Sequence, residues 1–231
     1  MARILRALSV GAGDGRYLTI EGKEIIENCD VLYYPVSEAG KNSIALDGVK
    51  KYIGENTEIC ELVFPMRKTD LIDYWQSNAD TIDMTLADGK VGVFITIGDV
   101  MNFSTFAYLK ERLDSSIDVI YSPGVPAYNV AASMLEKNLG LGTFGFVVLP
   151  GVQNLNDFIK TLELFDTIAI LKPNKETTDI LELAQKQVDF KVHRVTNCGF
   201  DNTIVDYNIE LENQKLPYMT VLLVEKNSKS I

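Results

Sequence analysis

Residues 91–106 read VGVFITIGDVMNFSTF. An unbroken apolar run, Val91, Val93, Phe94, Ile95 and Ile97, stops at Gly98-Asp99, and a hydroxyl pair, Ser104-Thr105, opens an amphipathic segment. In a chain that alternates strands with helices, such a run closed by Gly-Asp predicts a parallel strand buried on both faces. Its carboxyl end opens onto a loop and a helix, which is where open α/β sheets bind their ligands. The stretch is therefore the expected floor of a binding site.

Toward the N-terminus, residues 4–10 predict a first strand that runs into Gly11-Ala12-Gly13-Asp14-Gly15. A dinucleotide fingerprint needs its third glycine where this chain has Arg16, so the pattern is incomplete. What remains is a glycine-rich turn, read equally as a ligand's approach to bare backbone or as a tight turn alone. Thr19 caps a helix reaching about Cys29, and DVLYYP at 30–35 and residues 57–64 give two more strands. Thr69 or Asp70 is placed to cap a long helix whose Leu71, Trp75, Ala79, Ile82 and Leu86 recur at three and four, with Gly89 as its terminator.

Toward the C-terminus, residues 104–113 predict a helix and 118–121 a short strand. Ser122-Pro123-Gly124-Val125-Pro126 then breaks every regular element. It divides the chain into an N-terminal α/β domain, 1–121, with a mostly parallel sheet, and a C-terminal domain, 122–231. Helices at 128–137, 155–165 and 177–187 mix there with strands at 146–149 and 167–172. The last strands, 191–198, 203–210 and 218–225, have no helices between them, so the second domain is mixed α+β.

Composition narrows the function. The 231 residues are 46% hydrophobic and 23% charged, an ordinary globular balance with enough chain to bury a core in each domain. No apolar run reaches membrane-span length and the N-terminal stretch lacks a signal-peptide cleavage region, so a cytoplasmic protein is expected. A net charge of −10 argues against nucleic acid as partner, while a local cluster of Lys and Arg still suits an anionic small molecule. Cys29, Cys60 and Cys198 are widely spaced and read as reduced structural thiols. His193, the single histidine, lies in the predicted strand KVHRVTNC as a surface or packed residue. One histidine builds neither a His-dependent triad nor a multi-histidine metal site, and no P-loop is present. The chemistry must come from a bound cofactor or an already reactive substrate.

The order of features, a glycine-rich first turn, DVLYYP, ITIGD, YSPGVPA, VVLP and PYMTVLLVEK, resembles the tetrapyrrole methylases, S-adenosylmethionine-dependent methyltransferases of corrin and sirohaem synthesis. ELVFPMRKTD followed by Tyr74-Trp75, GDVMNFSTFAYLKERL, and NCGFDNTIVDYNIE with LPYMTVLLV are most similar to the branch that methylates C20 of precorrin-2 or its cobalt-loaded counterpart. The resemblance spans nearly the whole chain. It implies the two-domain fold of that family, with the cofactor in a cleft between domains, and a homodimer.

Two prolines of the family pattern are missing. The first turn, usually G-x-G-P-G-D, has no proline here, and Gly-Asp-Pro is Gly98-Asp99-Val100. Both loops are expected to be looser for it. By position, the resemblance assigns S-adenosylmethionine to the backbone of Ile97 and Gly98, to Asp99, and to Asn102, Phe103, Ser104 and Thr105, with Pro126 and Ala127 adjoining. Leu171, Lys172, Cys198 and Gly199 are assigned to the adenine side, and Tyr218 and Met219 complete the set. Ser104 and Thr105 also read as plain helix caps, and Leu171 as core. Asp99 stands out because a carboxylate at the end of a buried strand needs a partner, which a ligand can supply. Arg16, Arg67 and Lys68 are the candidate ligands for a polycarboxylate substrate. Methyl transfer from an activated sulfonium to a nucleophilic meso carbon asks mainly for alignment and exclusion of water, so no protein base is assigned. Two other readings stand beside this one: a same-fold methyltransferase acting on a diphthamide intermediate or ribosomal RNA, and a cofactor- or tetrapyrrole-binding module without turnover.

Overall fold

The computed structural model describes residues 3–65, 71–86, 89–212 and 216–227. The chain forms two compact units, Met1–Pro126 and Ala127–Ile231. In the first, strands and helices alternate as β1 (Arg3–Ser9), α1 (Ile20–Glu27), β2 (Val31–Val36), α2 (Ile44–Val49), β3 (Glu58–Val63), α3 (Ile72–Thr85), β4 (Val91–Thr96), α4 (Phe106–Lys110) and β5 (Ile117–Ser122), with a 3₁₀ turn at Lys50–Tyr52. The five strands form one parallel sheet in the order β3-β2-β4-β1-β5.

Period-two alternation along each strand explains why the central strands are apolar at every position. Leu8, Leu32, Val93 and Ile95 face the core under α1 and α2, with Ile26 and Val49. Leu5, Ala7, Tyr33 and Phe94 face the opposite core under α3 and α4, with Ile82, Leu86, Phe106 and Leu109. The chain thus leaves β1 toward one face of the sheet and the adjacent β4 toward the other. Divergent connections from neighbouring parallel strands open a crevice at their carboxyl ends. Thr19 caps α1 as its sequence predicts, its hydroxyl accepting the Gly22 N–H. Thr69 and Asp70 lie outside the described residues.

The second unit contains α5 (Ala127–Met134), β6 (Phe146–Leu149), α6 (Leu155–Leu164), β7 (Thr167–Leu171), α7 (Lys175–Gln185), β8 (Phe190–Thr196), β9 (Ile204–Asp206) and β10 (Thr220–Lys226). Its sheet runs β6-β7-β10-β8-β9, parallel only between β6 and β7. Phe158, Leu162, Leu181 and Ala184 pack α6 and α7 on Ile168, Ile170, Val192, Leu222 and Val224, and α5 packs against β7, β8 and β10.

Three elements end three or more residues before their predicted ends, each for a local reason. Helix α5 stops at Met134 because Glu136 takes a left-handed φ of 54°. The Glu136 and Lys137 N–H groups then close back on the carbonyls of Ser133 and Ala132, a Schellman ending built without glycine. Strand β9 ends before Asn208, also left-handed, whose N–H is accepted by His193 Nδ1 at 3.3 Å. Helix α4 gives way after Lys110 to i→i+3 bonds from Arg112 and Leu113.

Burial pushes the Cys198 thiol and the Tyr33 hydroxyl each up to about 12. The folded chain therefore holds two protons that the unfolded chain releases from about pH 9 upward, so stability falls as pH rises through that window. Urea titrations between pH 8 and 11 should show the midpoint declining, and Cys198→Ala should decline less steeply; superimposable slopes would remove Cys198 from the effect.

Candidate active site

The parallel order of β4, β1 and β5 brings three loops to one edge of the first sheet, and hydrogen bonds stitch them together. Gly11 and Gly98 exchange both backbone bonds, at 3.1 and 2.8 Å, and Ala12 N–H donates to the Val125 carbonyl at 3.0 Å. The buried Ser9 Oγ accepts the Val100 N–H at 2.8 Å. Gly124 lies so close to Ser9 that a Cβ would stand 2.5 Å from the Ser9 Cβ.

Asp99 is the centre of this arrangement. Its carboxylate is buried, and it accepts from Met101 N–H at 2.9 Å and from the Asn102 amide at 2.7 Å through one oxygen. The other accepts from Gly124 N–H at 2.9 Å. The partner that the sequence left to a ligand is supplied by the protein. Three donors, two from its own loop and one from the loop after β5, satisfy the charge.

Val100 N–H, the group a proline would lack, bonds Ser9. At that position the chain has a hydrogen bond in place of a ring, where looseness was expected. In the first turn Asp14 stands where the family pattern has proline. Its carboxylate is gripped by Arg16, with Nε at 2.9 Å and Nη2 at 2.7 Å, and the hydrogen bond holds it below the usual carboxylate range. Arg16, assigned to substrate from sequence, pairs here with Asp14 of its own loop. Arg67 and Lys68 lie outside the described residues.

The remaining candidates up to residue 127 follow in chain order. Ile97 and Gly98 are half-buried, and Gly98 has φ 76° with no atom within 4 Å of where a Cβ would stand. Backbone is therefore accessible there, and a side chain would occupy the space. Phe103 is left-handed at φ 52° and exposed. Ser104 Oγ accepts the Phe106 N–H at 3.2 Å, whereas Thr105 makes no side-chain cap, so only the first hydroxyl closes the helix start. Pro126 and Ala127, both half-buried, come directly after the stitched Gly124-Val125.

In the second unit β7 and β8 flank the antiparallel β10, so the end of each meets the start of β10. Leu171, Lys172, Cys198, Gly199, Tyr218 and Met219 therefore gather at one end of that sheet. Lys172 and Asn197 are both left-handed, at φ 52° and 54°, and their N–H groups donate to the carbonyls of Thr220 and Met219 at 3.2 and 2.8 Å. Lys172 Nζ sits 5.7 Å from the Tyr218 ring centre. The Cys198 thiol is buried and turned toward the Val195 carbonyl at 3.8 Å. His193 is a packed strand residue, buried, with Nε2 3.0 Å from Glu225, which also pairs with Lys137 at 2.8 Å.

Sequence reasoning missed Ser9 and Gly124. A serine closing an apolar strand was a visible signal; the reach from residue 99 to residue 124 was not.

A doubly wound parallel sheet with loops stitched at its carboxyl edge, followed by a mixed sheet, defines the class, and residues 6–210 match the family described as Tetrapyrrole (Corrin/Porphyrin) Methylases, to which the chain belongs. It is 33% identical over 202 residues to the probable cobalt-precorrin-2 C(20)-methyltransferase of Methanocaldococcus jannaschii, covering 84% of this chain and 83% of the relative. To the cobalt-precorrin-2 C(20)-methyltransferase of Salmonella typhimurium it is 29% identical, covering 73% and 72%. The crystal structure of the methyltransferase CobJ shares the fold at a TM-score of 0.71 and 15% identity, over 98% of this chain and 95% of that one.

Removing the Asp99 carboxylate leaves buried donors without an acceptor. Asp99→Ala should lower the unfolding free energy by about 2–3 kcal/mol, and Ser9→Ala by about 1–2 kcal/mol. Because both act on the same loops, urea denaturation of the double variant should give less than the sum of the two losses.

Proposed function

We propose that this chain is an S-adenosylmethionine-dependent methyltransferase of cobalamin biosynthesis that methylates the C20 meso carbon of precorrin-2 or its cobalt complex. The observation that carries the reading is the likeness to the two C(20)-methyltransferases over most of both chains. The cobalt-loaded form is the first substrate to test, since both relatives are named for it. A cytoplasmic homodimer belongs to the same reading, on the family resemblance.

The residues fit the cofactor. Gly98 offers accessible backbone at φ 76°, and the loops around it are held by internal bonds. When bound, S-adenosylmethionine supplies an electrophilic methyl group on a sulfonium sulfur. By the family resemblance, the loop at residues 97–105, with Pro126 and Ala127, would hold and orient it, and Leu171 and Lys172, Cys198 and Gly199, and Tyr218 and Met219 would hold the adenosine. The chain's contribution to rate is alignment of donor and acceptor and exclusion of water, which asks no side chain to act as a strong base.

Anaerobic incubation with S-adenosylmethionine and either precorrin-2 or cobalt-precorrin-2 should give a product heavier by one methylene, detected by mass spectrometry. Calorimetry with S-adenosylhomocysteine should show binding, weakened about tenfold or more in Gly98→Ala, whose methyl enters the open space and strains the backbone. Cofactor binding without product from either tetrapyrrole would favour a binding module or another substrate. Absence of binding would remove the enzyme reading.

A further inference from the structure

Two of the three segments that make the resemblance specific, the one carrying Trp75 and the one carrying Phe103 to Arg112, meet in space. Trp75 lies in the first turn of α3 and Tyr108 in α4. Both helices begin at the carboxyl edge of the first sheet, the edge that carries the stitched loops. The two rings are stacked, centroids 4.7 Å apart and planes within 6° of parallel. Arg112 places its guanidinium carbon 4.9 Å from the Trp75 ring centre and donates to the Tyr108 carbonyl at 2.6 Å. One face of the Tyr108 ring is thereby covered and its position fixed, yet the residue stays 51% exposed. Two further large apolar side chains of the same segment are exposed, Met101 at 69% and Phe103 at 48%. Phe103 holds a left-handed backbone that an aromatic residue rarely adopts, a form of strain that collects at functional sites. Three exposed large apolar side chains within eight residues, in the segment that carries the candidate cofactor loop, suit a ligand-contacting face.

Shape selects among ligands. Arg112, whose guanidinium lies over Trp75, also approaches the exposed Glu111 carboxylate at 3.8 Å. A flat, rigid π face braced from below by a second ring suits a large conjugated ring laid against it.

We propose that Tyr108, seated on Trp75 in a stack that Arg112 braces, is the platform on which the macrocycle of the tetrapyrrole substrate rests. The inference depends on the proposed function for its choice of ligand. It adds the side chains that position the acceptor, and these are distinct from those assigned to the cofactor. A preorganised ring loses little freedom on binding, and one stacking contact is equivalent to about tenfold in affinity.

The test is calorimetric binding of precorrin-2, under anaerobic conditions with S-adenosylhomocysteine present, to the wild type, Tyr108→Ala and Tyr108→Phe, together with KM and kcat for methyl transfer. Tyr108→Ala should weaken tetrapyrrole binding and raise KM about tenfold, with a smaller change in kcat and the S-adenosylhomocysteine Kd held within twofold; Tyr108→Phe should restore binding. Emission of Trp75, the single tryptophan, reports independently that the stack has been lost. If Tyr108→Ala binds precorrin-2 as tightly as the wild type while melting at lower temperature, the stack only joins α3 to α4 and the platform is overturned. Tyr108-dependent binding by a wild type that makes no methylated product would uphold the platform and sink the methyl-transfer reading. A wild type that binds no tetrapyrrole overturns both.

Discussion

A carboxylate with three internal donors organises the first unit. Asp99 holds its own loop through Met101 and Asn102 and reaches the loop after β5 through Gly124. Around it the Gly11–Gly98 exchange and the Ser9–Val100 bond complete a seam across three strand ends. Such a seam is available only because the sheet is parallel, with β1 between β4 and β5, so that every loop leaves from the same edge. Its charge is met by the protein's own donors. The loops consequently need little reorganisation on binding, and Asp99 shapes the site through the backbone it fixes rather than by offering an unpaired charge.

The second unit reaches a comparable result by the opposite topology. An antiparallel β10 between β7 and β8 puts its start against their ends, and residues far apart in sequence, at 171–172, 198–199 and 218–219, are collected there. The two left-handed residues that finish β7 and β8 donate to successive carbonyls at the start of β10. Holding Lys172 and Asn197 there costs roughly 1–3 kcal/mol of strain each, and the over-determined sheet around them supports it.

Much of this was legible. The apolar run at 91–97, the heptad-like spacing of Trp75, Ala79, Ile82 and Leu86, and the Thr19 cap each follow from local periodicity or a single side chain, and the structure has β4, α3 and α1 there. The ends of elements were less legible: Glu136 stops its helix by adopting a left-handed backbone that its residue type does not announce, whereas Asn208 belongs to a type that tolerates it. The candidate site residues were named from the sequence one by one, and the hydrogen-bond network that joins some of them was not. Nothing in the sequence around position 99 points to the amide of Gly124, and Asp99 was therefore credited with a need that the fold already meets. The Asp14–Arg16 grip, by contrast, is two residues long and was open to reading; the motif comparison drew attention to what was missing at that place instead of what stood there.

That grip changes the character of the first turn. A proline stiffens a loop by covalent geometry, identically in every buffer. Here the stiffening comes from two opposite charges that are about 40% exposed, at 42% and 38%. Coulomb attraction at such a surface is screened over roughly 8 Å at physiological ionic strength. The turn beside the candidate cofactor loops is thus an electrolyte-sensitive clasp, firm in dilute buffer and slackened by added salt, while the buried seam next to it is indifferent to both.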